Sequence, residues 1–474
     1  VYNRKNYRWK GFKMINGKRD KISDLFKGQE IGKKIQIYGW IRTARFSKNV
    51  YFLSINDGSC FEKLQVVIDK LDSVDKADLL TGACVKVTGE IVESGGAGQN
   101  IEVLADTVEV IGPSDDTYPL QKKRHTLEFL RTMPHLRSRT NTLLAGFTMR
   151  NKLSYAIHKY FQDKGFLYIH SPLLTKSDAE GAGESFQVTN LNLEAVALGT
   201  KPIDYTQDFF GEEVGLTVSG QLEAEAFALS HGEVYTFGPT FRADPSNTPT
   251  HASEFWMIEP EMAFYDFEDL MALIEDFIKS ITKDVRESCA SEVEFFNKFI
   301  NKQLNERYDA LLNNDFARIS YTDAIELLRE HLSEFENEPV WGEDLFKEHE
   351  RYLTDVHFRK PVFVTDYPAC FKAFYMRLND DGKTVRCLDL LVPGIGEIIT
   401  GSQREERYDV LLKKIEEREM DMETYKWYLE LRQWGSAPHS GFGMGLERML
   451  MYLTGIENIR DTLPFPRAKG QIYG

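Results

Sequence analysis

The 474-residue sequence predicts an α+β chain of two parts: a small N-terminal β-barrel, then a larger domain that mixes strands with helices. Three observations carry this. Short segments of alternating apolar and polar residues recur between about 30 and 112. The stretch Gly112-Pro-Ser-Asp-Asp-Thr-Tyr-Pro119 then breaks the pattern with turn-forming residues. Beyond it, helical spacing alternates with strand–loop–strand segments.

The barrel strands are expected at 34–42, 50–56, 63–69, 83–90 and 101–105, with turn signals at Asn56-Asp57-Gly58 and Ser94-Gly95-Gly96. Residues 73–80 suit a short helix. Five strands with a helix after the third match the OB-fold, whose face binds single-stranded nucleic acid; another small binding barrel is the alternative. Residues 1–29 read as a basic N-terminal segment. Residues 1–50 hold 14 Lys/Arg against three acids, although the whole chain carries a net charge of −15. Binding to phosphates responds to such local charge.

Residues 113–140 read as a hinge with its own basic side chains, Lys122, Lys123, Arg124, Arg131, Arg137 and Arg139. Leu144, Phe147, Leu153, Ile157 and Phe161 recur at helical spacing over 141–163, and Lys164-Gly165 is a helix stop. A strand then leads to Pro172. Residues about 266–360 are dominated by charged helical patterns and read as a helical insertion, with the chemistry elsewhere. Residues 413–432 read as one amphipathic helix.

Composition narrows the function classes. No apolar run approaches the ~20 residues that span a bilayer, so no membrane role is expected. The five cysteines are scattered and form no Cys/His cluster, so they read as reduced thiols of a cytoplasmic protein rather than zinc ligands.

Two segments carry chemistry. Gly441-Phe-Gly-Met-Gly-Leu-Glu-Arg448 alternates glycine with apolar residues and then starts a helix. The glycines leave room for a flat ring or a backbone, and a guanidinium in a first helical turn grips phosphate. The second segment runs from Gly238 through Phe241-Arg242-Ala-Asp244 and a polar loop with His251 to Glu254-Phe-Trp-Met-Ile-Glu259-Pro-Glu261-Met-Ala-Phe264. Together with the segment ending at Pro172, they resemble the three signature motifs of class II aminoacyl-tRNA synthetases, in the family's order. The wording Leu216-Thr-Val-Ser-Gly-Gln221 and Pro438-His-Ser-Gly-Phe-Gly-Met-Gly445 is closest to the bacterial-type asparaginyl branch.

The resemblance implies an antiparallel catalytic sheet flanked by helices, a homodimer, and two-step chemistry on ATP, Mg²⁺, L-asparagine and tRNA(Asn). Arg242 matches the arginine on the α-phosphate, and Arg448 the one on the γ-phosphate. His251 is expected near the triphosphate, Asp244 and Phe255 at the adenine, and Gly445 in the nucleotide site. Glu397 and Asp389 match the magnesium carboxylates. Glu259 and Arg404 match the groups that read the side-chain amide. Ser219, Gln221 and Glu180, the last in a glycine-bearing loop, are expected around the α-ammonium. In the barrel, Arg45, Phe52 and Gln65 are expected at the anticodon. On sequence alone, an aspartyl or non-discriminating member and a non-catalytic RNA-binding relative stay open.

Overall fold

The computed structural model describes residues 19–69, 75–96, 98–177, 185–199, 202–244 and 248–472. The chain divides into two compact units, 1–144 and 145–474.

In the first unit, β1 (Lys34–Phe46), β2 (Tyr51–Asn56), β3 (Leu64–Ile68), β4 (Cys84–Glu93) and β5 (Ile101–Gly112) close a barrel in the order β1-β2-β3-β5-β4. The apolar set of each alternating strand, including Ile37, Leu53, Val66, Val87 and Val103, fills the interior. β1 and β5 run further than their alternation indicated. The helical turn before β4 is short, Lys76–Asp78, and the start of the expected helix lies outside the described residues. One element was not expected: within the basic N-terminal segment, α1 (Ile22–Gly28) buries Ile22 and Leu25 in the barrel core. Its first N–H groups donate to Asp57 Oδ2 (from Ile22) and Ser59 Oγ (from Ser23), both at 3.0 Å, so the β2–β3 turn caps it.

The second unit is built on an eight-stranded sheet. After α2 (Asn141–Asp163) comes the short β6 (Leu167–Ile169). Helix α3 (Gln221–His231) leads into the hairpin β7 (Glu233–Phe241) and β8 (Glu254–Ala263), followed by the long amphipathic α4 (Phe267–Ser288). The remaining strands are β9 (Ala317–Ser320), β10 (Val362–Thr365), β11 (Cys387–Val392), β12 (Gly396–Gln403) and β13 (His439–Gly445). They lie in the order β9-β10-β11-β12-β13-β8-β7-β6. Only the outer pairs, β9/β10 and β7/β6, are parallel. The five strands from β11 to β7 are joined antiparallel, so their side chains alternate between the cavity and the helical layer.

Two expectations need correction. The 266–360 insertion is not purely helical: it supplies β9, and its helix Lys347–Arg351 packs against β12, beside the cavity described below. The single helix expected over 413–432 is two, α5 (Tyr408–Glu417) and α6 (Met422–Gln433). Asp421 caps α6 by accepting from Glu423 and Thr424 N–H, and Glu419 takes a left-handed φ of 53° at the break. α7 (Leu446–Thr454) follows β13 directly.

Candidate active site

Most of the expected catalytic-domain residues meet in one place. Ser219, Gln221, Arg242, Asp244, His251, Phe255, Glu259, Glu397, Arg404, Gly445 and Arg448 line a single open cavity of about 600 Å³ over the central strands.

One end is cationic. Arg242 follows the last residue of β7, its N–H donates to Ser253 O at 3.0 Å, and its guanidinium lies 5.3 Å over the Phe255 ring. Arg448 stands in the first turn of α7 and donates from Nη1 to Glu397 Oε1 at 3.1 Å. Its neighbour Glu447 is buried, pairs with Arg150 at 2.7 Å and accepts the Trp256 N–H at 3.1 Å, which fastens α7 to β8. His251 Nε2 lies 3.9 Å from Asp244 Oδ2. Burial, then the Arg448 charge, pushes the His251 ring below its ordinary range, which favours the neutral imidazole. Lys347 Nζ donates to Thr250 Oγ1 at 2.8 Å, and burial with Arg448 depresses it too.

Beside this end sits a carboxylate cluster. Glu350, from the insertion, accepts the Glu397 N–H at 3.4 Å. Burial and the nearby Glu397 and Asp389 push its carboxyl up to about 8. Asp389 departs from expectation. It is buried and does not line the cavity, and both of its oxygens are engaged: Lys372 Nζ donates to Oδ2 at 2.8 Å and Thr400 Oγ1 to Oδ1 at 2.7 Å. In this arrangement it anchors Lys372.

The other end is polar and tightly specified. Glu259, on β8, accepts from Ser219 Oγ, from Gly220 N–H at 2.9 Å and from Thr236 Oγ1 at 3.2 Å. A carboxylate offers about four acceptor sites, so roughly one is left to face the cavity. Arg404 is nearly sealed. Its Nε donates to Glu261 Oε2 at 3.0 Å, its Nη2 to Glu261 Oε1, and its Nη1 to Ser402 Oγ at 2.7 Å. Burial works against the Glu261 charge, but the two parallel N–H donors are the geometry of an ionised pair. The first motif glycine serves this pair. A Cβ on Gly441 would stand 2.2 Å from the Glu261 carboxyl carbon, so Gly441 makes room for a carboxylate, not for a flat ring. Gly443 and Gly445 both line the cavity, Gly443 against the Met257 methyl.

Sequence reasoning missed several cavity residues. Lys372, Tyr375 and Arg418 line it without any periodic pattern to announce them. Glu180 lies outside the described residues. In the barrel, Arg45, Phe52 and Gln65 share an outer face: Arg45 and Phe52 are register partners, the Arg45 guanidinium lies 5.6 Å over the Phe52 ring, and Arg45 Nη2 donates to Gln65 Oε1 at 3.3 Å. Leu53, not Phe52, points into the core.

Comparison with known proteins bears on the family of both units. Residues 126–469 match the family model described as tRNA synthetases class II (D, K and N), and residues 35–111 match the OB-fold nucleic acid binding domain. The chain is 55% identical over 456 residues to the asparagine–tRNA ligase of Clostridium novyi strain NT, covering 95% of this chain and 98% of that protein. It is 54% identical to the asparagine–tRNA ligase of Bacillus anthracis, over 93% of this chain and 96% of that one. Among solved structures, asparaginyl-tRNA synthetase of Pyrococcus horikoshii complexed with asparaginyl-adenylate superposes with a TM-score of 0.84 at 30% identity, covering 96% of this chain and 100% of that chain. The Entamoeba histolytica enzyme with the same adenylate gives 0.81 at 26% identity, over 93% and 97%. A matching catalytic model over most of the length, a matching barrel and a cavity that gathers residues of the second and third motifs lead to one conclusion: the chain belongs to the class II tRNA synthetases of the D, K and N group.

Proposed function

We propose that the protein activates L-asparagine with ATP to asparaginyl-adenylate and transfers the asparaginyl group to the 3′-terminal adenosine of tRNA(Asn). The observation that carries this is the two-ended cavity. Arg242 and Arg448 stand at one end, and Glu259 and Arg404 at the other.

The first step brings two anions together and builds charge on phosphate oxygens, so fixed positive charge and orientation are the main catalytic contributions. Arg242 holds the α-phosphate beside the attacking carboxylate. Arg448 holds the γ-phosphate, and neutral His251 donates a hydrogen bond to the triphosphate without adding to the local cationic repulsion. Phe255, braced by Arg242, offers a face to the adenine, with Gly445 and Asp244 at its edges. Gln221 and Ser219 hold the α-ammonium. The spare acceptor site on Glu259 takes the side-chain NH₂, and Arg404 donates to the side-chain oxygen.

Magnesium takes oxygen ligands from one or two protein carboxylates plus phosphates; held here, it would supply positive charge against the developing phosphate charge. Glu397, partly exposed at the cavity wall, fits that donor set. Glu350 stands behind it, its carboxyl pushed up to about 8 by burial and by Glu397 and Asp389; a divalent cation held there would offset this crowding of acids. Asp389, bonded to Lys372 and Thr400, does not line the cavity.

For the tRNA, Phe52 stacks an anticodon base while Arg45 and Gln65 meet phosphate and base edge. A homodimer is supported by β6, which ends the sheet, and by Tyr155 and Phe264, which are largely exposed. Among the described residues no helix is long and apolar enough to cross a membrane; a cytoplasmic setting belongs to this reading.

The test is ATP–pyrophosphate exchange with each of the twenty amino acids, without tRNA. Exchange with asparagine alone is expected. Exchange with aspartate would overturn the role of Glu259. No exchange at all would leave an RNA-binding protein.

A further inference from the structure

Beneath the amino-acid end of the cavity lies a cluster of charged groups shut off from solvent. Its centre is Glu225, fully buried on α3, one turn beyond Gln221. Gln221 Nε2 donates to Glu225 Oε1 at 3.0 Å. Tyr428 OH lies 2.8 and 2.7 Å from its two oxygens. Arg432 Nη2 donates to Oε2 at 2.5 Å, and His439 Nε2 lies 3.0 Å from the same oxygen. Arg404 Nε is 3.9 Å from Oε1. Burial opposes a charge on Glu225, yet Arg432, His439 and Arg404 together hold its carboxyl well below the usual range.

Two features set this cluster apart from an ordinary core. Apolar side chains of the same volume would stabilise a core as well or better, so buried ions are weak evidence for a stability role. And Glu225 touches the two cavity residues that meet opposite ends of the amino acid, Gln221 and Arg404. Arg404 and Arg432 are answered by Glu225 and Glu261, and Glu259 at the wall makes the acids outnumber the arginines by one.

We infer that Glu225 is a positioning residue for amino-acid selection: it orients Gln221 and, with Glu261, cancels the charge of Arg404 and Arg432, so that the cavity offers a side chain directed hydrogen bonds without a positive field that would welcome aspartate. This rests on the asparagine reading above. An amide needs only the donor and the acceptor. A carboxylate needs net positive charge to repay its lost hydration, and Glu225 removes it.

The experiment uses the full chain. Exchange rates are measured with asparagine and with aspartate, and the KM for ATP separately, for wild type, Glu225→Gln and Tyr428→Phe. In Glu225→Gln the KM for ATP should hold while the KM for asparagine rises. The aspartate-to-asparagine ratio of kcat/KM should rise on the order of tenfold, the scale one unit charge gives across about 12 Å at an effective dielectric of about 20. Tyr428→Phe keeps the charge and loosens its seat: asparagine KM should rise with the ratio unchanged. An unchanged ratio in Glu225→Gln overturns the inference. So does an unchanged asparagine KM in Tyr428→Phe, which serves alone if Glu225→Gln does not fold. Wild type that exchanges with aspartate and not asparagine defeats the underlying reading instead, before any variant is compared.

Discussion

Arg448 Nη1 and Glu397 Oε1 stand 3.1 Å apart and join the first turn of α7 to β12 across the cavity mouth. Both side chains are about a third exposed, at 30% and 37%, so the pair is screened and contributes only ~0–1 kcal/mol to folding. Its significance lies in what each group meets when substrate arrives.

The first prediction separates chemistry from stability at this pair. Arg448→Ala should lower the exchange rate by about 10²–10³-fold, the scale of removing one transition-state donor. Its thermal melt should stay within a few degrees of wild type. Exchange within a few-fold of wild type would remove the phosphate role from Arg448.

Glu259→Gln replaces an acceptor with an amide that faces the Gly220 N–H. Exchange with asparagine should fall and the preference over aspartate should erode, together costing ~1–3 kcal/mol. Competition between the two amino acids in one exchange assay reads the ratio directly. An unaltered preference would place discrimination elsewhere in the cavity.

On the barrel, Phe52→Ala should weaken tRNA charging by ~1–3 kcal/mol, the worth of one stacked base, while exchange without tRNA stays intact. Leu53→Ala, one residue along and facing inward, should instead destabilise the barrel by ~2–5 kcal/mol. If Phe52→Ala melts early like Leu53→Ala, Phe52 is packing and not a stacking platform.

Glu350 gives a pH dependence with a definite sign. Its carboxyl ordinarily titrates near 4.5 and is pushed up to about 8 in the fold. Below about 4.5 it is protonated folded or unfolded and makes no difference. As pH rises from there to about 8, the unfolded chain releases a proton that the fold retains, so stability is progressively lost. Glu350→Gln should match wild type near pH 4.5 and exceed it towards pH 8 by a margin on the order of a few kcal/mol. Melting curves that stay parallel across that window would mean Glu350 is ionised in the fold.

Much of the architecture was legible because its strands are half-buried and obey a period of two; β2 and β8 announce themselves that way. What was hidden depended on contacts distant in sequence. α1 carries few apolar residues inside a basic run, and it forms because Asp57 and Ser59 cap it and the barrel takes Ile22 and Leu25. β9 is four residues on a parallel edge, too short for a pattern. In the site, Arg242, Glu397 and Arg448 were visible through motifs. Glu225 was not: in Gln221-Leu-Glu-Ala-Glu225 it looks like any acid on a helix surface, and only α6 and β13 packing over it turn it into a buried charge. For Asp389, nothing nearby in sequence revealed that Lys372 and Thr400 would donate to it.

The contact between Gly441 and Glu261 has an evolutionary corollary. With a Cβ at 441 falling 2.2 Å from the Glu261 carboxyl carbon, the two positions cannot drift separately. A larger residue at 441 would press on the Glu261 carboxylate and disturb its paired bonds to Arg404. On the proposed reading, the first glycine of the motif is held by the amino-acid end of the cavity and the last, Gly445, by the nucleotide end, so one seven-residue strand answers to two substrates.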